Sequence, residues 1–194
     1  VTTVAIVATE KVTAKLNYEH NKKNTAPTDY INNQNTGNYH NWKFGLSTMD
    51  KNGWGVIATY NLLKMLGDTK NLADIAYEIE SKSGTLVLGF FGTDPTHFGE
   101  YFKGKNKKTT AYASLDALEK AAKNMSESQR LILTKWNESS VLKGAHVVAV
   151  KKSGNYYTVY NPNGYGKSDD FNTLKAYIKE GSLIIGYVVG KNET

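Results

Sequence analysis

Between residues 55 and 66 the apolar positions Val56, Ile57, Tyr60, Leu63 and Met65 or Leu66 recur every three or four residues, with Gly67 following as a C-cap. That spacing predicts a helix. Leu72, Ile75, Ala76 and Ile79 repeat the pattern over Asn71 to Ser81, behind an Asn cap and ahead of Gly84. Asp94 to Phe102, with Pro95 in its first turn and Gly104 beyond its end, predicts a third helix. Ser114 to Met125 predicts a fourth, burying Leu115, Leu118, Ala121 and Ala122. After Arg130 the period changes. Leu131–Thr134, His146–Val150, Tyr156–Tyr160 and Leu183–Val189 are β-branched or aromatic runs of strand length, and Lys152 to Asn155 supplies a hairpin turn. Phe171 to Ile178 predicts one more helix, docked on the sheet. Helices first and an antiparallel sheet afterwards is an α+β layout, with N-terminal helices packed on a C-terminal sheet.

The N-terminal quarter differs. Thr2 to Lys15 alternates apolar and polar types, and Val4, Ile6, Val12 and Leu16 predict an edge strand or packed arm. From Asn17 to Gly45 the chain is rich in Asn, Thr and Gly and reads as an irregular segment wrapping a core. Residues 1–45 are therefore expected to form an extended arm or wrapping segment, and residues 46–194 the main domain. No internal repeat or low-complexity linker divides the chain further.

A chain of 194 residues, 40% hydrophobic and 22% charged, can bury a full core. Thirteen tyrosines and three prolines favour strands over a helical bundle. The net charge of +6 would attract acidic partners. Its densest run, Lys103, Lys105, Lys107 and Lys108, reads as a solvated loop, and without a basic helix or an aromatic RNA-binding motif nucleic acid is not an expected partner. With no cysteine, disulfides, thiolate metal sites and thiol redox chemistry are excluded. No apolar run reaches the length of a membrane span, and Val1 to Val7 lacks the basic start of a signal peptide. The Asn, Thr, Tyr and Lys richness fits a mature secreted or cell-surface bacterial protein.

Three stretches carry candidate chemistry. Asn52-Gly53-Trp54-Gly55 opens the first helix, Lys143-Gly144-Ala145-His146 leads into the second strand, and Tyr157-Thr158-Val159-Tyr160-Asn161-Pro162 follows the hairpin turn. A glycine-flanked helix start, a strand histidine and an amide on the paired strand resemble, in that order, the catalytic frame of papain-like cysteine peptidases. Within that family the likeness from about Asp50 to Val189 is greatest to bacterial bacteriocin-processing peptidases. The resemblance implies a papain-like fold and site positions Trp54, His146 and Asn161, with no cofactor and no metal. In such a site the thiolate sits at a helix N-terminus, where the dipole favours negative charge, beside an imidazole oriented by a third polar group.

Here Trp54 occupies the cysteine's place, and Thr48 stands near where the family carries an oxyanion glutamine. Indole is no nucleophile, and a lost oxyanion donor costs about 3 kcal/mol of transition-state stabilisation. The expected function is a catalytically inactive peptidase homologue binding a peptide, cell-wall component or protein partner in the former cleft. Trp54, Trp42 and Tyr165 would lend it aromatic surface. Two alternatives stand beside it: an active cysteine peptidase or amidase whose nucleophile was replaced by Trp54 in this chain, and an interaction module unrelated to peptidases. Ser47 and Thr48 are substitute nucleophiles in principle, although neither lies at the helix start, and Asp50 is a substitute base. His20, His40, His97 and His146 lack metal-ligand spacing, and Gly89, Gly92 and Gly99 do not form a phosphate loop.

Overall fold

Apolar runs of the second half of the chain pair into one antiparallel sheet, and the helices of both halves cover it. The structure, a computed structural model, describes residues 2–82, 84–86, 89, 92–137, 144–179 and 181–192. Val1 and Lys143, quoted above, lie outside the described residues. In chain order the first elements are α1 (Thr2–Asn21), a small hairpin of β1 (Lys43–Phe44) and β2 (Ser47–Thr48), α2 (Met49–Asn52), α3 (Trp54–Met65), α4 (Leu72–Ser81) and α5 (His97–Lys103). There follow β3 (Lys107–Tyr112), α6 (Leu115–Lys123), β4 (Arg130–Trp136), β5 (Ala145–Ser153), β6 (Tyr156–Tyr160), β7 (Asp169–Phe171), α7 (Leu174–Ile178) and β8 (Leu183–Asn192). The six-stranded sheet runs β3-β8-β4-β5-β6-β7.

Strand alternation divides the core in two. Ile132, Val147, Ala149 and Val189 face the cluster that holds Val56, Ile57, Leu63, Ile75 and Phe98 of α3, α4 and α5. Leu131, Leu133, Val148, Val150 and Val159 face Leu118, Leu174 and Tyr177 of α6 and α7. A strand covered on both faces has no polar side, which is why Val147 to Val150 is an unbroken apolar run. Helix α3 is buried along nearly its whole length. At Gly55 a Cβ would lie 2.5 Å from Thr93 Oγ1, so only glycine allows the 92–96 segment to come this close.

Three expectations need correction. Residues 2–15 form a helix, not an edge strand, and α1 continues to Asn21. Among its described side chains the buried ones are Glu10, Ala14, Asn17 and Asn21, a helical spacing filled mostly by polar residues, so hydrophobic periodicity does not reveal it. Val12 and Leu16, expected to face inward, are 60% and 66% exposed. The first residues are thus not an extended arm, and only 22–42 has the irregular wrapping character. That segment is held by Asn61 of α3, whose side chain accepts from Ile31 N (2.9 Å) and donates to Ile31 O (2.8 Å). Of the basic run only Lys105 lies in a turn. Lys103 ends α5, and Lys107 starts β3 almost fully buried, with its ammonium 2.8 Å from Asp68. Pro95 lies ahead of α5, which begins at His97. The α+β layout of helices packed on an antiparallel sheet is as expected, with one strand, β3, placed ahead of α6 in the chain.

Candidate functional site

The start of α3 is set by Gly53. A Cβ at this position would lie 2.2 Å from Met49 Sδ, so glycine lets α2 turn directly into α3 over buried Met49. Trp54 is the first residue of α3, and its partly buried indole lies against Gly144 and His146. The indole and imidazole centroids are 5.8 Å apart at 57°. Gly144 adopts φ +73°, a left-handed conformation that favours glycine.

His146 stands near the start of β5, opposite Lys135 of β4. Its Nε2 lies 2.6 Å from the backbone oxygen of Asn161. A carbonyl can only accept, so Nε2 carries the proton, and the unprotonated nitrogen is Nδ1. Among the described residues Nδ1 has no hydrogen-bond partner. Burial drives the imidazole pKa down to about 4, outweighing the upward pull of the Asn161 carbonyl, and the Lys135 charge lowers it further. At neutral pH the ring is therefore neutral.

Asn161 meets His146 through its main chain, not through the side-chain amide expected from the sequence. It follows the last β5–β6 pair, Ala149 with Tyr160, so Asn161 and His146 are not cross-strand partners. A φ of +56° at Asn161 turns the chain there. Its amide Nδ2 donates to Gln34 Oε1 at 2.9 Å, and its backbone N–H donates to Asn32 Oδ1 at 2.9 Å. Gln34 Nε2 in turn donates to the Asp50 carbonyl at 2.6 Å, and Gln34 N–H to the Gly164 carbonyl. The wrapping segment thereby ties α2 to the turn after β6 and holds the carbonyl that orients His146.

The structure brings Trp54, His146 and Asn161 together. Other candidates scatter. Trp42 is 1% exposed and belongs to the core, so it offers no cleft surface, whereas Tyr165 is exposed. The Thr48 hydroxyl donates to the Asp50 carboxylate, and Ser47 pairs with Phe44 in the small hairpin. Among the described residues no group of three or more His, Cys, Asp or Glu could hold a metal. Gln34, Asn32 and Lys135 escaped the sequence reading. The two amides sit in an Asn-rich segment indistinguishable from solvated loop, and only the register with β4 identifies Lys135.

Among solved structures, the peptidase domain of Streptococcus ComA, a bifunctional ABC transporter involved in a quorum-sensing pathway, superposes with a TM-score of 0.51. The match spans 72% of this chain and 91% of that domain, at 14% identity. The chain has a papain-like fold. At that identity the likeness extends to the fold alone. No family model and no curated protein matches the sequence.

Proposed function

We propose that this chain is a papain-like domain without peptidase activity that binds an extended peptide, from a protein partner or a cell-wall component, in the former substrate cleft. The carrying observation is Trp54 at the first position of α3, its indole against the imidazole of His146. Amide hydrolysis by this frame needs a nucleophile that forms an acyl intermediate, and indole supplies none. A neutral imidazole with a pKa near 4 is also a weak base for activating water. What remains is an aromatic side chain beside a buried imidazole at a helix start, a surface suited to packing on a peptide. An exported, cell-surface location accompanies this reading on composition alone.

A second reading, a peptidase or amidase whose thiol was replaced at residue 54, has one observation in its favour. The Asn161 carbonyl fixes the imidazole as the Nε2–H tautomer and leaves Nδ1 free of described partners, as a thiol neighbour would require. Trp54→Cys would then gain thiol-dependent hydrolysis of peptide or amide substrates.

The test is an amide chemical-shift titration of the uniformly labelled protein with a panel of unstructured peptides. Saturable shifts centred on Trp54, Gly144 and His146, weakened about tenfold in Trp54→Ala, are expected, a loss of roughly 1.4 kcal/mol. Shifts confined to another face, or affinity untouched by Trp54→Ala, would remove the cleft from the account.

A further inference from the structure

One ammonium group beside His146 lacks a counter-charge. Lys135 of β4 is the cross-strand partner of His146, so the two side chains leave the sheet on the same face. Lys135 is partly buried, and its Nζ lies 4.8 Å from the ring centroid of Tyr177 in α7. That ring is fixed in turn. The Tyr177 hydroxyl donates to the Pro162 carbonyl at 3.0 Å, one residue beyond the carbonyl that holds His146. Elsewhere in the chain Lys70 and Lys105 share Glu78, and Lys107 meets Asp68. Among the described residues Lys135 has no carboxylate partner. The charge that reaches it is the ammonium of Lys179 at the end of α7, which repels it. Burial first, and then that repulsion, hold the Lys135 pKa below the ordinary lysine value.

We infer that Lys135, assisted by Lys179, binds a carboxylate of the peptide held beside His146, an inference that rests on the peptide-binding reading above. Taking an ammonium partly out of water is costly, and an aromatic face offsets that cost less fully than an anion does. Two ammonium groups that repel each other are both relieved by one negative charge. An extended peptide supplies such a charge as its C-terminal carboxylate or as an Asp or Glu side chain. Because Tyr177 already holds the Lys135 head in place, little further side-chain freedom is lost when the carboxylate arrives.

The placement also couples the carboxylate to the cleft. The Lys135 charge reaches the imidazole of His146 and helps to keep it neutral. A carboxylate on Lys135 offsets that charge, so occupancy is readable in the ring resonances of His146 as well as in those of Lys135. A peptide that packs on Trp54 and sets its acid against Lys135 thus spans the imidazole from the helix side to the β4 side.

The experiment titrates the whole chain, at neutral pH and low salt, with peptides matched in sequence but differing in charge. One pair has a free or an amidated C-terminus, and the other carries Asp and Glu or Asn and Gln. The acidic member of one pair is expected to bind about tenfold tighter than its neutral counterpart, and which pair shows the ratio tells which carboxylate is held. In Lys135→Met the ratio should fall to about one, and in Lys179→Gln it should fall in part. If Lys135→Met fails to fold, Lys135→Gln carries the comparison. Acetate alone, against chloride at equal ionic strength, should shift the Lys135 side-chain and His146 ring resonances saturably. Ratios near one in the wild type, with amide shifts still centred on Trp54, would overturn the carboxylate site and leave the peptide-binding reading standing. Saturable acetate shifts at Lys135 without binding of any peptide would do the reverse. A charge preference that survives the substitution of Lys135, or acetate shifts that do not saturate, would overturn the site.

Discussion

His146 makes the protein acid-sensitive in a way that one substitution isolates. In the folded chain its imidazole is held near 4 by burial, against 6.5 for an unperturbed histidine. Above pH 6.5 both folded and unfolded chains leave it neutral, and it adds no pH dependence. Below 6.5 the unfolded chain takes up a proton that the folded chain refuses, so stability falls until about pH 4. A gap of this size amounts to about 3 kcal/mol, of which about 2 kcal/mol is lost by pH 5. Glu80 opposes it. Its folded pKa of about 7 lies above its ordinary 4.5, so its stabilising contribution is full below 4.5 and is lost as pH rises through 7. The wild-type profile therefore mixes two terms of opposite sign, and the difference between wild type and His146→Gln removes the Glu80 part. Urea unfolding of both proteins from pH 7.5 to 4.5 should give a difference that changes by about 2 to 3 kcal/mol, with the variant gaining relative stability on acidification. A difference curve flat to within about 0.5 kcal/mol would refute a buried neutral imidazole.

Other perturbations test the elements that support the site. Asn61→Ala strips both main-chain partners from Ile31 and should cost about 3 kcal/mol in urea unfolding, with faster amide exchange between residues 30 and 36. Gly55→Ala drives a Cβ to 2.5 Å from Thr93 Oγ1 and 2.6 Å from its Cβ and should cost about 1 to 3 kcal/mol, part of it recovered when Thr93→Gly, which removes both atoms, is added. Trp54→Ala opens His146 to water, and NMR titration should show the imidazole pKa rising from near 4 toward 6.5. An unchanged titration would mean that the indole does not shield the ring.

Strands β4, β5, β6 and β8 and helices α3, α4 and α6 were legible because each carries an apolar run or period that a single chain displays: β-branched or aromatic runs of strand length, and every third or fourth residue in the helices. Helix α1 was not. Its buried positions among the described side chains are Glu10, Ala14, Asn17 and Asn21, mostly polar, and they leave no hydrophobic period to read. Strand β3 was hidden by lysines, since Lys107 lies buried with its ammonium 2.8 Å from Asp68 in the connection between α3 and α4, a contact no local pattern displays. At the site, residues 54, 146 and 161 could be aligned in order, but the use of Asn161 could not. Whether a residue after a strand offers its side chain or its carbonyl is decided by backbone conformation, here a φ of +56°, and by Asn32 and Gln34, which claim its N–H and amide from a segment more than a hundred residues earlier.

Hydrolysis by the unmodified protein tests the central claim most directly. Peptide and amide substrates incubated with purified wild type should release no product above buffer, and His146→Ala should behave identically, because residue 54 supplies no nucleophile. Turnover that persists through purification and disappears in His146→Ala would contradict it, showing that a hydroxyl such as that of Ser47 or Thr48, or a bound water, attacks in place of the thiol.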